Sequence, residues 1–380
     1  MRRTFRYRVY PNRLQSEALD AQLGEACRLY NGALQERRDA WRQARRSVSY
    51  YEQANQLKAI RADGSLALAN FSACQDVLRR VDKAFRAFFS RVKAGRKAGY
   101  PRFRSRRRYD TLTFPAYGDG CRLRPNGRLY LQGAGEIKVK LHRPVDGVIK
   151  TVSVKREAGR WYALFSCEVE PAALPPSDEA VGIDLGLTTF AVLSDGSEIA
   201  NPRYARKAAA AVRRAQRKVA RRKRRSNGRR KAVVLLQKAH AHVVHQRNDF
   251  HHKAARALVD RFGLIVVEAL NVKSLAGSML ARSVHDAAWG MFLDRLDEKA
   301  ESAARQVVRV NPNGTTQRCS GCQTVVPKTL SLRWHDCPAC GLSLSRDENA
   351  AREILRLGLS LDARTWPVAA SVASEAVCFS

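Results

Sequence analysis

The chain is 380 residues long, enough for two or three domains and a sizeable core, and it carries 69 Lys and Arg against 35 Asp and Glu. A formal net charge of +34 exceeds what solubility needs and favours polyanions, because each neutralised phosphate releases condensed counterions. No run of about eighteen apolar residues is present, and Met1-Arg-Arg-Thr4 does not read as a signal peptide, so the expectation is a cytoplasmic, nucleoid-associated protein without a membrane partner.

Thr4 to Val9 alternates Phe5, Tyr7 and Val9 with Arg6 and Arg8, predicting a half-buried strand that ends at Pro11. A long helix follows, with Leu14, Ala18, Leu19, Leu23, Cys27 and Leu29 on one apolar face, extended by Leu34 and Trp41. A second helical set holds Leu78, Val81, Ala84, Phe85, Phe88 and Phe89, and the loop from Lys93 to Arg104 ends the helical stretch. From about Asp110 to Glu170 the apolar period becomes two. Leu112 and Phe114 alternate, Leu129 and Leu131 follow a turn at Pro125-Asn-Gly-Arg128, and then come Ile137, Val139 and Leu141. Val152 and Val154 lead through a turn at Arg156-Glu-Ala-Gly-Arg160 into Trp161 to Val169. Asn-Gly and Ala-Gly turns between such runs predict antiparallel hairpins. The outcome is a small β-barrel, residues 1–11 and 106–176, into which a helical domain, 12–105, is inserted; Pro171 to Pro176 reads as a linker.

Val181 to Ile199 predicts a hairpin turning at Ser194-Asp-Gly196. Residues 203–231 hold fifteen Lys and Arg and no acid, predicting a helix broken near Ser226-Asn-Gly228 and returning through Val233–Leu258 to a strand at 264–268. Arg282 to Arg305 predicts another helix, with Trp289, Phe292, Leu293 and Leu296 on its face. A cysteine cluster comes next, then a final helix from about Glu348 to Leu357. Residues 361–380 are small and weakly patterned and are expected to form a disordered tail.

Of nine cysteines, Cys27, Cys74, Cys121, Cys167 and Cys378 are scattered without paired spacing, and the odd total argues against a disulfide framework. The other four form Cys319-x-x-Cys322, a spacer of fourteen residues, and Cys337-x-x-Cys340. Two such knuckles give four thiolates to one tetrahedral Zn2+, with no open position, hence a structural metal. A loop this small cannot build a core, so zinc should supply about 10 kcal/mol of its folding energy.

Three carboxylates stand out in so basic a chain. Asp184 lies in Val181-Gly-Ile-Asp-Leu-Gly-Leu-Thr-Thr-Phe190, Glu268 ends the apolar run Leu264-Ile-Val-Val-Glu268, and Asp347 follows the cysteines in Ser345-Arg-Asp-Glu-Asn-Ala-Ala351. Taken singly, Glu268 reads as a strand-end acid and Asp347 as a helix N-cap. Together they have the placement that a ribonuclease H-like nuclease needs, where shared carboxylates hold two divalent metals for in-line attack on a phosphodiester. Asp195 and Glu198 read better as turn and solvated surface. The glycine-flanked Asp184 segment also resembles the first phosphate loop of actin- and sugar-kinase-like ATPases. Their second Asp-x-Gly loop and glycine-rich adenosine site are missing, however, and the charge balance is wrong.

Arg213, Arg214, Arg217, Arg221, Arg222, Arg224 and Arg225, with no compensating acid, are candidates for gripping a nucleic-acid backbone. Lys93, Arg96, Lys97, Arg102, Arg104 and Arg106 to Arg108, interleaved with Tyr100, Phe103 and Tyr109, are a second candidate; those aromatics either stack on bases or close the core. Tyr50, Tyr51, Asn55, Ser72 and Gln75 are uncharged polar groups on helices otherwise basic or apolar. They suit base reading, with helix surface and caps as the alternative.

These segments together resemble the transposon-encoded TnpB (OrfB) proteins, RNA-guided DNA endonucleases regarded as ancestral to the type V CRISPR effectors. The resemblance spans nearly the whole chain. It runs through Tyr30-Asn31, Gly99-Tyr-Pro-Arg-Phe-Arg104, Gly182-Ile-Asp-Leu-Gly186, Ala287-Ala-Trp-Gly290, Gln317-Arg-Cys-Ser-Gly-Cys322 and Arg346-Asp-Glu-Asn-Ala-Ala351. It implies a multidomain α/β chain: a wedge β-barrel with an inserted helical recognition domain, then a RuvC nuclease domain (177–312 and 345–360) with an inserted zinc ribbon (313–344). It places the RuvC triad on Asp184, Glu268 and Asp347 with two catalytic Mg2+, and the zinc ligands on the clustered cysteines. The implied partners are a guide RNA from the transposon end and double-stranded target DNA bearing a short adjacent motif, both strands being cut. Gln323 departs from the family, which usually has Gly there, and is expected to strain its knuckle. Leu344-Ser345 stand ahead of Arg346 where the family often shows an acid. The competing readings are an RNA-guided repressor that binds without cutting, against which the intact triad counts, and a transposase or transposition accessory protein. Oligomeric state, guide scaffold, motif and cut position are not legible in the sequence.

Overall fold

Phe5, Tyr7 and Val9 are buried, and the arginines between them face outward, along β1 (Arg2–Tyr10). The computed structural model describes residues 1–329 and 332–362, and the chain divides into two compact units, Met1–Glu170 and Pro171–Ser380. In the first unit β1 leads into α1 (Arg13–Ala44), opened by a capping box in which Asn12 and Gln15 satisfy each other's backbone N–H. Leu19, Leu23, Ala26, Cys27, Tyr30, Ala33 and Leu34 form its buried stripe. Leu14 and Trp41, expected on that face, are 75% and 52% exposed, because the helix overruns its partners at both ends. A second capping box, Ser49 with Glu52, starts α2 (Tyr50–Ala62), and Asn70 caps α3 (Phe71–Lys93). On α3, Leu78, Val81 and Phe85 are buried while Phe89 is exposed.

The period-two region folds as β2 (Thr111–Phe114), β3 (Cys121–Leu123), β4 (Arg128–Leu131), β5 (Gly135–Lys140), β6 (Val148–Glu157) and β7 (Arg160–Glu168). With β1 they make a seven-stranded antiparallel sheet in the order β2-β6-β7-β1-β5-β4-β3. The chain thus returns from the helices to pair on both sides of β1, as an inserted helical domain requires. The ends, β2 and β3, are strands of four and three residues, and no ladder joins them among the described residues. The expected barrel is therefore an open sheet by hydrogen bonding. Its core joins Phe5, Tyr7, Phe114 and Phe165 to Leu23, Leu34, Leu57 and Leu78 from the helices.

The second unit starts with β8 (Ala180–Leu185), β9 (Thr189–Leu193) and β10 (Glu198–Ala200). Where one hairpin was expected there are two, the extra turn lying at Gly186 to Thr188. The basic run forms α4 (Tyr204–Ala220), and α5 (Asn227–Arg261) begins after a break in which Arg225 is left-handed (φ 65) and Ser226 caps. Then follow β11 (Leu264–Glu268), α6 (Val272–Leu275), α7 (Ala281–Ala287), α8 (Trp289–Ser302) and β12 (Gln306–Val310). The single helix expected from Arg282 to Arg305 is split at Ala288 (φ 53), beside the Ala287 carbonyl held 3.0 Å from His251 Nε2. β13 (Trp334–Asp336), β14 (Ser343–Ser345) and α9 (Arg346–Asp362) complete the unit. Helix α9 starts earlier and ends later than expected, taking in the first two residues of the expected tail. The rest of that tail, with Cys378, lies outside the described residues.

The second sheet runs β10-β9-β8-β11-β12, antiparallel through β8 and parallel from β8 to β12. One face, with Val181, Ile183, Ile265 and Val267, packs with Phe190 against Leu258, Phe292 and Leu296 of α5 and α8. The other carries Gly182, Asp184, Val266 and Glu268 and is covered by α9. A Cβ on Gly182 would stand 2.1 Å from the Ala351 carbonyl oxygen, and one on Gly358 2.3 Å from Val266 Cγ2. Backbone cannot rotate away as a side chain can, so Gly182→Ala should cost at least about 2 kcal/mol by overpacking. Gly290→Ala, at an open position on α8, should be neutral or stabilising by up to about 1 kcal/mol. Chemical denaturation of both variants checks this; equal midpoints would show that α9 does not sit tightly on β8.

Candidate active site and metal centre

β8 and β11 are parallel neighbours paired Ile183 to Val267, so Asp184 and Glu268 come next, level with each other and on the same face. They stand at the carboxyl ends of adjacent parallel strands, where open α/β sheets leave a crevice. The strands are about 4.8 Å apart there. Ser345 caps α9, its hydroxyl accepting the Glu348 N–H at 3.1 Å, so Asp347 is not the cap that a sequence reading allowed. Its carboxylate lies in the first turn and accepts from Arg346 Nε and Nη2 at 3.2 and 3.1 Å.

Burial, then the negative charges of Glu268 and Asp347, push Asp184 up to about 7, with Arg346 a partial offset. Glu268 is 8% exposed and is raised by burial, opposed by the Thr315 hydroxyl 2.6 Å away. Asp184 thus feels the negative charge of both other predicted carboxylates. Carboxylate oxygens gathered around one buried acid are the hard donors that divalent cations take. Asp195 is a turn residue, bound to Ser197 and Arg261, and Glu198 is exposed, as read.

The four predicted thiols converge more tightly, within 4.8 Å of one another, with Cys319–Cys340 at 3.6 Å and Cys322–Cys337 at 3.5 Å. The two knuckles are near copies, each closed by a carbonyl of the first cysteine that accepts the N–H four residues on. At that position stand Gln323 (φ 69) and Gly341 (φ 72). Gln323 is therefore strained as expected, by about 1–2 kcal/mol. Its Nε2 donates to Cys319 O at 3.2 Å and to the fully buried Glu353 of α9 at 3.1 Å. Thr324 pulls the Cys322 thiol down to about 6, toward the thiolate that a metal needs.

Tyr51, Asn55 and Gln75 line one open groove of about 700 Å³ between α2 and α3, with Tyr50, Arg79 and Lys83. Ser72 is not among its lining residues; its hydroxyl donates to Asp119. Tyr109 closes the core, whereas Tyr100 and Phe103 are 43% and 45% exposed, Phe103 under the Arg38 guanidinium. Arg102 is exposed, and Asn31 binds both backbone polar groups of Arg104, laying that loop along α1. Arg213, Arg214, Arg217, Arg221, Arg222, Arg224 and Arg225 are all exposed, and α4 buries none of its residues. Sequence reasoning missed Thr315 and Asn349. The second had a signal: a lone amide among Ala350, Ala351 and Ile354 on the buried face of α9.

Three family models match: "Probable transposase" over residues 164–279, "Cas12f1-like, TNB domain" over 289–354, and "Helix-turn-helix domain" over 1–46. The last name does not describe residues 1–46, which form β1 and one unbroken helix. A "Putative RNA-guided DNA endonuclease" of Streptomyces pristinaespiralis is 34% identical over 96% of this chain and 91% of its own length. A "Putative RNA-guided DNA endonuclease InsQ" of Escherichia coli is 29% identical over 75% and 73%. Among solved structures, the protein of a Cas12f1-sgRNA-target DNA complex superposes with a TM-score of 0.60 at 15% identity, covering 89% of this chain and 82% of that one, a likeness of fold.

A pH dependence follows from Asp184. Its folded pKa, about 7, lies above the ordinary 3.8, so the metal-free folded state holds the proton longer and stability falls as pH rises from about 4 to 7. Asp184→Asn removes that loss. It should melt close to the parent at pH 4 and be the more stable by on the order of 4 kcal/mol at pH 8. Thermal unfolding across that range checks it; parallel curves would mean that Asp184 carries no such strain.

Proposed function

The chain belongs to the TnpB (OrfB) family related to the type V effectors, and from that premise we propose that it is an RNA-guided DNA endonuclease acting by a two-metal RuvC mechanism. The observation that carries this is the convergence of Asp184, Glu268 and Asp347 from two adjacent strand ends and a helix start. Two Mg2+ bound there supply charge stabilisation for in-line displacement at a phosphodiester. Asp184, Glu268 and Asp347 would hold the cations between them, with Arg346 orienting Asp347. The zinc ribbon is structural, with Cys319, Cys322, Cys337 and Cys340 as ligands. A guide RNA from the transposon end selects the target by base pairing, and the protein reads a short flank of the double-stranded DNA. Tyr51, Asn55 and Gln75 suit that reading because they line one groove with Lys58, Arg79, Lys83 and Arg86; Ser72 lies outside that lining and bonds Asp119. The exposed arginines of 213–225 grip phosphate, as befits a protein working at the nucleoid.

The test starts from the protein purified with its RNA, which should be one defined transcript. Asp184→Ala, Glu268→Ala and Asp347→Ala should each lower Mg2+-dependent cleavage of a flanked target by more than about 100-fold, since a direct ligand outweighs a supporting one. Guided binding should persist. A variant that cuts at near the parental rate removes that residue from the site, and a parent that binds but never cuts is a repressor.

In the groove, Asn55→Ala and Gln75→Ala should relax flank preference by about 1–3 kcal/mol per lost contact. Neutralising Arg217, Arg221 and Arg222 should flatten the salt dependence without altering preference. A motif-depletion assay and a salt titration separate the two; unchanged preference in both groove variants would move the reading surface elsewhere.

A further inference from the structure

Glu268 ends its strand inside protein, and what meets it comes from the zinc-bearing segment. Thr315, 2% exposed, lies on the turn Gly314–Arg318 that enters the first knuckle, and its Oγ1 donates to Glu268 Oε1 at 2.6 Å, with the Pro312 carbonyl at 3.1 Å as a second acceptor. That turn is clamped from α9 by Asn349, wholly buried and two residues beyond Asp347. Asn349 Nδ2 donates to Arg318 O at 2.7 Å, and its Oδ1 accepts the Ser320 N–H at 2.9 Å. Gln323 adds the contact to Glu353, one turn further along the same helix face. Residues 315–323 are thus held between the end of β11 and the first two turns of α9, touching one carboxylate and fastened to the helix that bears another.

We propose that Thr315 is a positioning residue of the divalent-metal site, fixing the orientation of the Glu268 carboxylate, and that the zinc knuckle holds Thr315 in place through Asn349. The inference rests on reading the three carboxylates as Mg2+ ligands and adds a role for the ribbon: it completes the shell around the catalytic carboxylates. A buried carboxylate that must stay ionised needs a donor on the oxygen it does not offer to the metal. A hydroxyl at 315 provides it, and a valine of the same shape does not.

The experiment uses the full chain with its zinc and RNA, with Mn2+ as the probe and free Mn2+ followed by electron paramagnetic resonance. Thr315→Val should weaken Mn2+ binding by about 10- to 100-fold, the range for lost supporting hydrogen bonds. Thr315→Ser, which keeps the donor, should bind within about threefold of the parent. Zinc content should be unchanged in both, and cleavage by the valine variant should recover at high Mn2+. Thr315→Cys, with a weaker donor of similar size, should fall between serine and valine, and it decides the matter if the valine variant does not fold. Parental Mn2+ binding by the valine or cysteine variant, alongside loss in Glu268→Gln, overturns the proposal and leaves the metal site standing. Parental binding in Glu268→Gln as well overturns the metal-site reading itself.

Discussion

Helix α9 reaches the sheet only because Gly182 on β8, and Gly358 on the helix facing Val266 of β11, present no side chains there. That approach sets the level of the whole helix against the sheet. Its first turn then falls beside the strand ends that carry Asp184 and Glu268, and its next two turns meet the first knuckle through Asn349 and Glu353. A helix held a few ångströms further out would keep its apolar contacts with Leu264 and Val266 in looser form but would separate Asp347 from its partners. Close packing, more than any polar contact, is what assembles the site.

The assembled site is acidic inside a strongly basic chain, and the two scales of charge act differently. At physiological salt the field of an exposed arginine fades within about 8 Å, so on the proposed function the arginines of 213–225 would act on phosphate only locally. At the carboxylates the short-range field has the opposite sign. On the proposed function a phosphodiester would therefore need divalent cations to approach them, and nucleic acid and metal would favour each other's binding there.

Much of this was legible along the chain. Alternation located the strands of the first unit, the end of an apolar run marked Glu268, and doubled spacing marked the thiols. What was not legible depends on distant partners. The break at Ala288 sits in good helix-forming residues and coincides with the His251 contact to Ala287, from a helix 36 residues earlier. The open ladder reflects how short β2 and β3 are, which periodicity cannot weigh. Trp41 is apolar yet half exposed, with the Arg45 guanidinium over its ring. Thr315 and Asn349 act across 47 and 31 residues, and only the fold places them. The polar residues of α2 and α3 stood out by their lack of charge, and the structure brings Tyr51, Asn55 and Gln75 to one groove while the Ser72 hydroxyl bonds Asp119.

The two cysteine knuckles share a backbone turn but meet α9 through different contacts. The first is tied to α9 at Arg318, Ser320 and Gln323, and it keeps a left-handed glutamine whose side chain is one of those ties. The second turns on Gly341, with open space around its Cα. The second knuckle lies between β13 and β14, and β14 runs straight into α9, so both knuckles rest on one helix. From that helix Asn349 holds Arg318, and three residues earlier Thr315 meets Glu268, so a disturbance of the thiols would be felt at a carboxylate.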